Sequence, residues 1–158
     1  MAEGNVAKRL QQELMGLMTS GDPDATAFPK EDNLFEWTGT IKGSPDTVYE
    51  GQEYKLLIKF PEDYPYKAPK ITFETACFHP NVDDAGNICL DILKEKWSAA
   101  YSVVTILQSL RSLLGDPNND SPLNTTAAQL WADQSEYKRV LCQKYAQATS
   151  QSSAEAGG

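Results

Sequence analysis

Histidine and cysteine are scarce in this chain, with one His and three Cys among 158 residues. A structural metal site draws on four such ligands at short, recurring spacings. Cys77, His79 and Cys89 supply donors of the right kind, yet no Cys-x-x-Cys pair accompanies them. The His-x-Glu and Pro-Cys-x-x-Cys pattern of zinc deaminases is also missing, so no metal is expected. An odd cysteine count without an export signal does not build a disulfide framework. The three read as reduced thiols of a cytoplasmic or nuclear protein. Glu3, Lys8, Arg9 and Glu13 stand where a signal peptide needs an apolar run. No apolar stretch approaches the roughly 20 residues of a membrane span, so no membrane association is expected. Positive charge is outnumbered, 14 Lys and Arg against 22 Asp and Glu, for a net charge of -8. That balance excludes the basic footprint that binding nucleic acid requires, and a basic or neutral protein partner fits better.

What is present suffices for one globular domain. At 41% hydrophobic content, a chain of this length removes roughly two-thirds of its unfolded surface from water. Val6, Leu10, Leu14, Leu17 and Met18 recur at helical spacing, with Lys8, Arg9, Gln12 and Glu13 off that face, and Gly21-Asp22-Pro23 ends the pattern. Gly21 to Asp32 is rich in turn residues. Leu34 to Ile41, Thr47 to Tyr49, Tyr54 to Phe60 and Lys70 to Glu74 follow as strand-like runs, Tyr54, Leu56, Ile58 and Phe60 sharing a face. They predict an antiparallel meander of about four strands covered by a helix, an α+β fold.

Pro61 to Pro69 holds three prolines and two tyrosines in nine positions, a rigid connection in which Tyr64-Pro65 is a candidate cis bond. Ser102 is a plausible cap for a helix whose apolar face is Val103, Ile106, Leu107, Leu110, Leu113 and Leu114, closed by Gly115. Asn124 or Thr125 caps a short helix through Trp131, and Ser135 a last one presenting Tyr137, Val140, Leu141 and Tyr145. The domain is expected to span 1–147, and the tail 148–158, with nothing apolar to bury, to be disordered.

The chemistry concentrates in Phe78 to Ile92. Cys89 follows the polar turn Asp83-Asp84-Ala85-Gly86-Asn87, which places its thiol at a loop exit. Cys77 and Cys142 instead read as small buried hydrophobes. From the residues alone Cys89 is open to three readings. It is a metal ligand with Cys77 and His79, a hydrolase nucleophile with His79 as base, or a buried structural thiol.

An aromatic before His79-Pro80-Asn81, then an aliphatic, Gly86, a second aliphatic and Cys89-Leu90, resembles the active-site signature of ubiquitin-conjugating enzymes. The resemblance extends from about Val6 to Tyr145, through the first helix, the Pro61 to Pro69 connection, Trp97 and the Asp116 to Leu123 loop. Lys8 to Met15, Asp32 to Phe35, Asn87 to Ser98 and Asp120 to Asn124 look most like the cyclin-selective class that serves the anaphase-promoting complex. The implied fold is the UBC fold, a four-stranded antiparallel meander packed on a central helix, with one amino-terminal and two carboxy-terminal helices.

By this resemblance Cys89 accepts ubiquitin as a thioester from the activating enzyme and passes it to a substrate lysine with a RING-type ligase. Asn81 donates to the oxyanion or shapes the loop for it, and His79 and Pro80 hold the loop. Many relatives place an acid opposite the cysteine. Here Ser121 stands there beside Asp120, leaving Asp120 or Asp91 to influence the incoming lysine, with Ser121 a gate and phosphosite. Lys8, Arg9 and Gln12 resemble the contact face for the activating enzyme. Pro65, Tyr66, Ser98, Ala99 and Ala100 resemble the loops that hold a ligase, Ala99 replacing a proline found in many relatives. No bound cofactor is implied, ATP being used upstream by the activating enzyme, and a monomer is expected. A cysteine hydrolase, or an inactive ubiquitin-binding scaffold, is the alternative; the scaffold would typically lack the thiol.

Overall fold

The computed structural model describes the backbone of residues 2–157 and the side chains of residues 6–149. In chain order it contains α1 (Ala2–Ser20), β1 (Ala25–Lys30), β2 (Asn33–Lys42), β3 (Glu53–Lys59), β4 (Lys70–Phe73), a single 3-10 turn at Asp91–Leu93, α2 (Val103–Gly115), α3 (Thr125–Leu130) and α4 (Gln134–Gly157). The four strands form one antiparallel sheet in the order of the chain. This is the expected UBC fold.

Register explains the core. Ala27 faces Gly39, Gly39 faces Leu56 and Leu56 faces Phe73, so a single row crosses the sheet on its inner side. Trp37, Ile41, Tyr54, Ile58 and Ile71 extend that apolar surface and are all buried. α2 covers it with Val103, Ile106, Leu107, Leu110 and Leu114. Burying side chains of this size contributes roughly 1.5–3 kcal/mol each, the largest favourable term holding sheet to helix. Ser102 caps α2 as expected, its hydroxyl accepting from Thr105 N–H.

Several expectations are corrected. Gly21 to Asp32 is not merely turn: Ala25–Lys30 pairs with β2 as an edge strand, where Pro29 is tolerated. Thr47 to Tyr49 is a turn, not a strand; it folds back on Gly43, and Tyr49 is buried from there. Met18 is exposed, whereas Glu13, expected off the apolar face, is buried. Gly115 is the last helical residue, and its value is space, since a Cβ there would lie 2.7 Å from Thr47 Cγ2. Asp133, not Ser135, caps α4, accepting from Glu136 N–H. α4 continues as helical backbone to Gly157, through the stretch expected to be disordered. Tyr64-Pro65 is cis.

Candidate active site

The loop that carries Cys89 is fixed from both ends before the thiol is reached. Phe78 C=O lies 2.5 Å from the Tyr49 hydroxyl and 2.9 Å from the Tyr137 hydroxyl, and the two hydroxyls also meet each other. Two phenolic protons thus serve three short contacts, tying the turn before β3 and α4 to one carbonyl. Burial pushes both phenols well above their ordinary range, so both keep their protons.

His79 is fully buried. Its Nδ1 accepts the Asn81 backbone N–H at 2.9 Å, which leaves the proton on Nε2 to be donated to Leu113 C=O at 2.7 Å. Both ring nitrogens are therefore occupied by backbone. Desolvation lowers the His79 pKa to about 4, so the ring is neutral near pH 7. A neutral imidazole bound on both sides holds the loop and does not reach the thiol as a base. The hydrolase alternative loses its general base at this point.

Asn81 is also fully buried. Its side-chain carbonyl accepts Asn118 N–H and its amide donates to Asn118 C=O, each at 2.8 Å, like one more rung of a ladder. Its own backbone carbonyl accepts Cys89 N–H at 2.9 Å. One residue thus joins the cysteine to the loop after α2. Of the two roles implied for Asn81, this geometry carries that of shaping the loop. Pro80 is buried, and its carbonyl adds to the same junction by accepting Leu123 and Asn124 N–H at 2.8 and 3.0 Å.

Between His79 and Cys89 the chain turns over Asp83. Its carboxylate accepts from Ala85 N–H, Asn87 N–H and the Asn87 amide, and the Asn87 side chain is the first cause of its lowered pKa. Gly86 is required twice over. Its φ is +88°, and a Cβ would fall 2.3 Å from Phe73 C=O, the end of β4. Ile88 is buried and Cys89 half-buried, so the chain emerges from the core at the thiol. That is the placement a nucleophile needs. Of the other thiols, Cys77 is buried and burial raises its pKa. Cys142, expected to be buried, is exposed on α4 with Gln52 Nε2 3.9 Å from its sulfur.

The remaining site residues are exposed on hydrogen-bonded backbone. Ser121 and Asp120 are exposed between the anchor at Asn118 and the anchor at Leu123. Asp120 N–H donates to Asn118 Oδ1, so the acid's backbone is fixed while its carboxylate has no partner among the described residues. Asp91 begins the 3-10 turn and sits 3.5 Å from Lys96 Nζ at the surface. Among the described residues, no group of three His, Cys, Asp or Glu side chains is placed to hold a metal ion.

Ties through Trp97 and Arg9 connect the two candidate docking loops and α1. Tyr66 is 80% exposed, and the Trp97 indole N–H donates to Pro65 C=O at 2.8 Å, cross-tying the Pro61 to Pro69 connection to the Ser98 to Ala100 loop. Lys8 and Gln12 are exposed on α1. Arg9 is not free: it pairs with Glu13 and donates to Ala99 C=O and Tyr101 C=O at 3.2 and 3.1 Å. The sequence pattern missed Glu13 as a member of these ties. A Glu three turns into an amphipathic helix reads as solvated, and two of its partners, Tyr64 and Val103, are distant in the chain.

A family model described as ubiquitin-conjugating enzyme matches residues 9–145. "Ubiquitin-conjugating enzyme E2-20 kDa" of Schizosaccharomyces pombe is 59% identical over 143 residues, covering 89% of this chain and 81% of that protein.

Proposed function

The chain belongs to the ubiquitin-conjugating enzyme family, and from that premise we propose that Cys89 is its acyl carrier and that its ligase is the anaphase-promoting complex. As a member it is a transferase that works through a thioester, with ubiquitin, an activating enzyme and a ligase as partners. The observation that carries the assignment of Cys89 is its half-exposed thiol at the exit of a loop whose neighbouring His79 and Asn81 are wholly engaged with backbone.

Loading needs no resident base. The Cys89 thiolate attacks the carbonyl of the thioester on the activating enzyme, a new C–S bond forms, and the donor's thiolate leaves. In the second step a substrate lysine amine attacks the same carbonyl. The C–S bond breaks, Cys89 leaves as thiolate, and the amine's surplus proton passes to a base. Asn81 keeps the thioester and the Asn118 to Leu123 segment in register for that attack. Asp120, Asp91 and acids of the substrate or ubiquitin are the bases within this reading, and phosphorylation of Ser121 would add negative charge where many relatives carry an acid.

The assignment of the ligase, and with it a role in cell-cycle protein degradation, is supported by the Lys8 to Met15, Asn87 to Ser98 and Asp120 to Asn124 stretches. The cytoplasm and nucleus are the compartments this role requires. No bound cofactor is involved, and ATP is consumed by the activating enzyme. The protein is expected to work as a monomer.

The test is incubation with ubiquitin, activating enzyme and ATP. An adduct that thiol reductant cleaves is expected, with a reductant-resistant oxyester in Cys89→Ser and none in Cys89→Ala. A cleavable adduct persisting in Cys89→Ala would overturn the assignment. Stimulated discharge by the anaphase-promoting complex, compared with unrelated RING ligases, tests the choice of ligase.

A further inference from the structure

Glu13 is a buried carboxylate that the transfer chemistry does not use. Its Oε2 accepts the Tyr64 hydroxyl and Arg9 Nε–H, and its Oε1 accepts Val103 N–H at 2.6 Å, the first amide of α2. Three donors from three parts of the chain converge on one side chain that is 8% exposed. Two of them lead to the two candidate docking loops. Tyr64 directly precedes Pro65 and Tyr66. Arg9 passes from Glu13 to the carbonyls of Ala99 and Tyr101, and its guanidinium also lies 5.9 Å from the centre of the Tyr64 ring.

We propose that Glu13 is a positioning residue for ligase recognition, holding the Pro65-Tyr66 and Ser98-Ala99-Ala100 loops at a fixed separation through Tyr64 and Arg9. The inference rests on the reading that these loops receive a RING ligase. The physical argument is one of acceptor geometry. A carboxylate accepts on both oxygens, whereas a glutamine of the same shape has one oxygen and one NH2 group. If its oxygen faces Val103 N–H, its NH2 faces Arg9 Nε–H, which has no lone pair to offer. If it is turned over, the NH2 faces Val103 N–H. Either way a buried donor meets a donor. The loops then keep their sequence and lose their common anchor.

Glu13 does not contact Cys89, Asn81 or His79, so its effect belongs to ligase affinity and not to the acyl transfer itself. The test uses full-length enzyme already charged with ubiquitin, mixed with a purified RING domain chosen because it accelerates discharge of the parent. Glu13→Gln is expected to raise the RING concentration for half-maximal acceleration about tenfold, with the maximal accelerated rate kept. In an Arg9→Gln background the same Glu13→Gln change is expected to add less than about twofold, because the Ala99 and Tyr101 tie is already cut.

Unchanged half-saturation in Glu13→Gln overturns the inference while leaving the enzyme's function intact. So does a fall in the maximal rate alone, or full additivity of the two substitutions, either of which describes general loosening. Tyr64→Phe, which removes one hydroxyl and no volume, is the milder variant, and it is expected to shift half-saturation in the same direction by a smaller factor. If no RING domain accelerates the parent although the Cys89 adduct forms, the ligase reading itself fails, and the inference with it.

Discussion

The two segments that meet beside Cys89 are built on opposite terms. His79-Pro80-Asn81 is buried, and the side-chain nitrogens of His79 and the side-chain amide of Asn81 are paired with backbone. Asn119-Asp120-Ser121 is exposed, and none of its own side chains makes a hydrogen bond among the described residues. The first can vary only by breaking the frame. The second can change charge without disturbing the fold, so substitutions there test the chemistry at low structural cost. Residues around the thiol are thus sorted by burial into those that hold its loop and those free to change.

Asn81→Ala breaks the comparison most directly. It leaves both polar groups of Asn118 without their buried partner and is expected to cost about 3 kcal/mol of stability. Discharge to lysine should fall about 100-fold while loading from the activating enzyme is largely kept. Thermal unfolding together with single-turnover discharge checks this. Parent-like discharge would show that the amide neither shapes the loop nor serves the oxyanion.

The next effect is set by His79. Its folded pKa is about 4, against an ordinary value of about 6.5 for an unfolded chain. The unfolded state therefore binds the extra proton first as pH falls. Stability from this residue is fully present above about pH 6.5 and is lost between there and about pH 4, a loss of about 3 kcal/mol. Denaturant unfolding across that window should show the slope, and His79→Gln should flatten it. An equal slope in that variant would assign the acid sensitivity elsewhere.

Ser121 gives the smallest structural effect. Ser121→Ala and Ser121→Asp should change stability by less than about 0.5 kcal/mol, as exposed substitutions do. Ser121→Asp should nevertheless accelerate lysine discharge relative to Ser121→Ala by about threefold, of the order that one exposed charge contributes. Equal rates in both variants and the parent would remove the gate and leave the exposed segment without a catalytic part.

Much of the frame could be read from sequence because it obeys local rules. The face of α2 repeats at helical spacing, Ser102 sits where a cap must, and the order of motif residues points to Cys89. What could not be read depends on contacts across long stretches of chain. β1 hides among Pro and Asp because edge strands tolerate what central strands forbid. Thr47 to Tyr49 has strand-like composition, yet Tyr49 is buried from a turn because its hydroxyl is required at Phe78. Glu13 and Arg9 look solvated by helical periodicity, and only their meeting with Tyr64 and Val103 shows otherwise. Asn81 could be suspected of two roles, and its pairing with the Asn118 backbone is visible only in the fold.

The Phe78 carbonyl adds a consequence in time. A ribosome makes the chain from its amino end, so the segment bearing Cys89 emerges before Tyr137, one of the two hydroxyls at that carbonyl. Until the final helix is made and docked, the nascent protein has its thiol but lacks an anchor of the loop that aims it. The aim of the thiol is thus set late, by a helix made after the loop that it anchors.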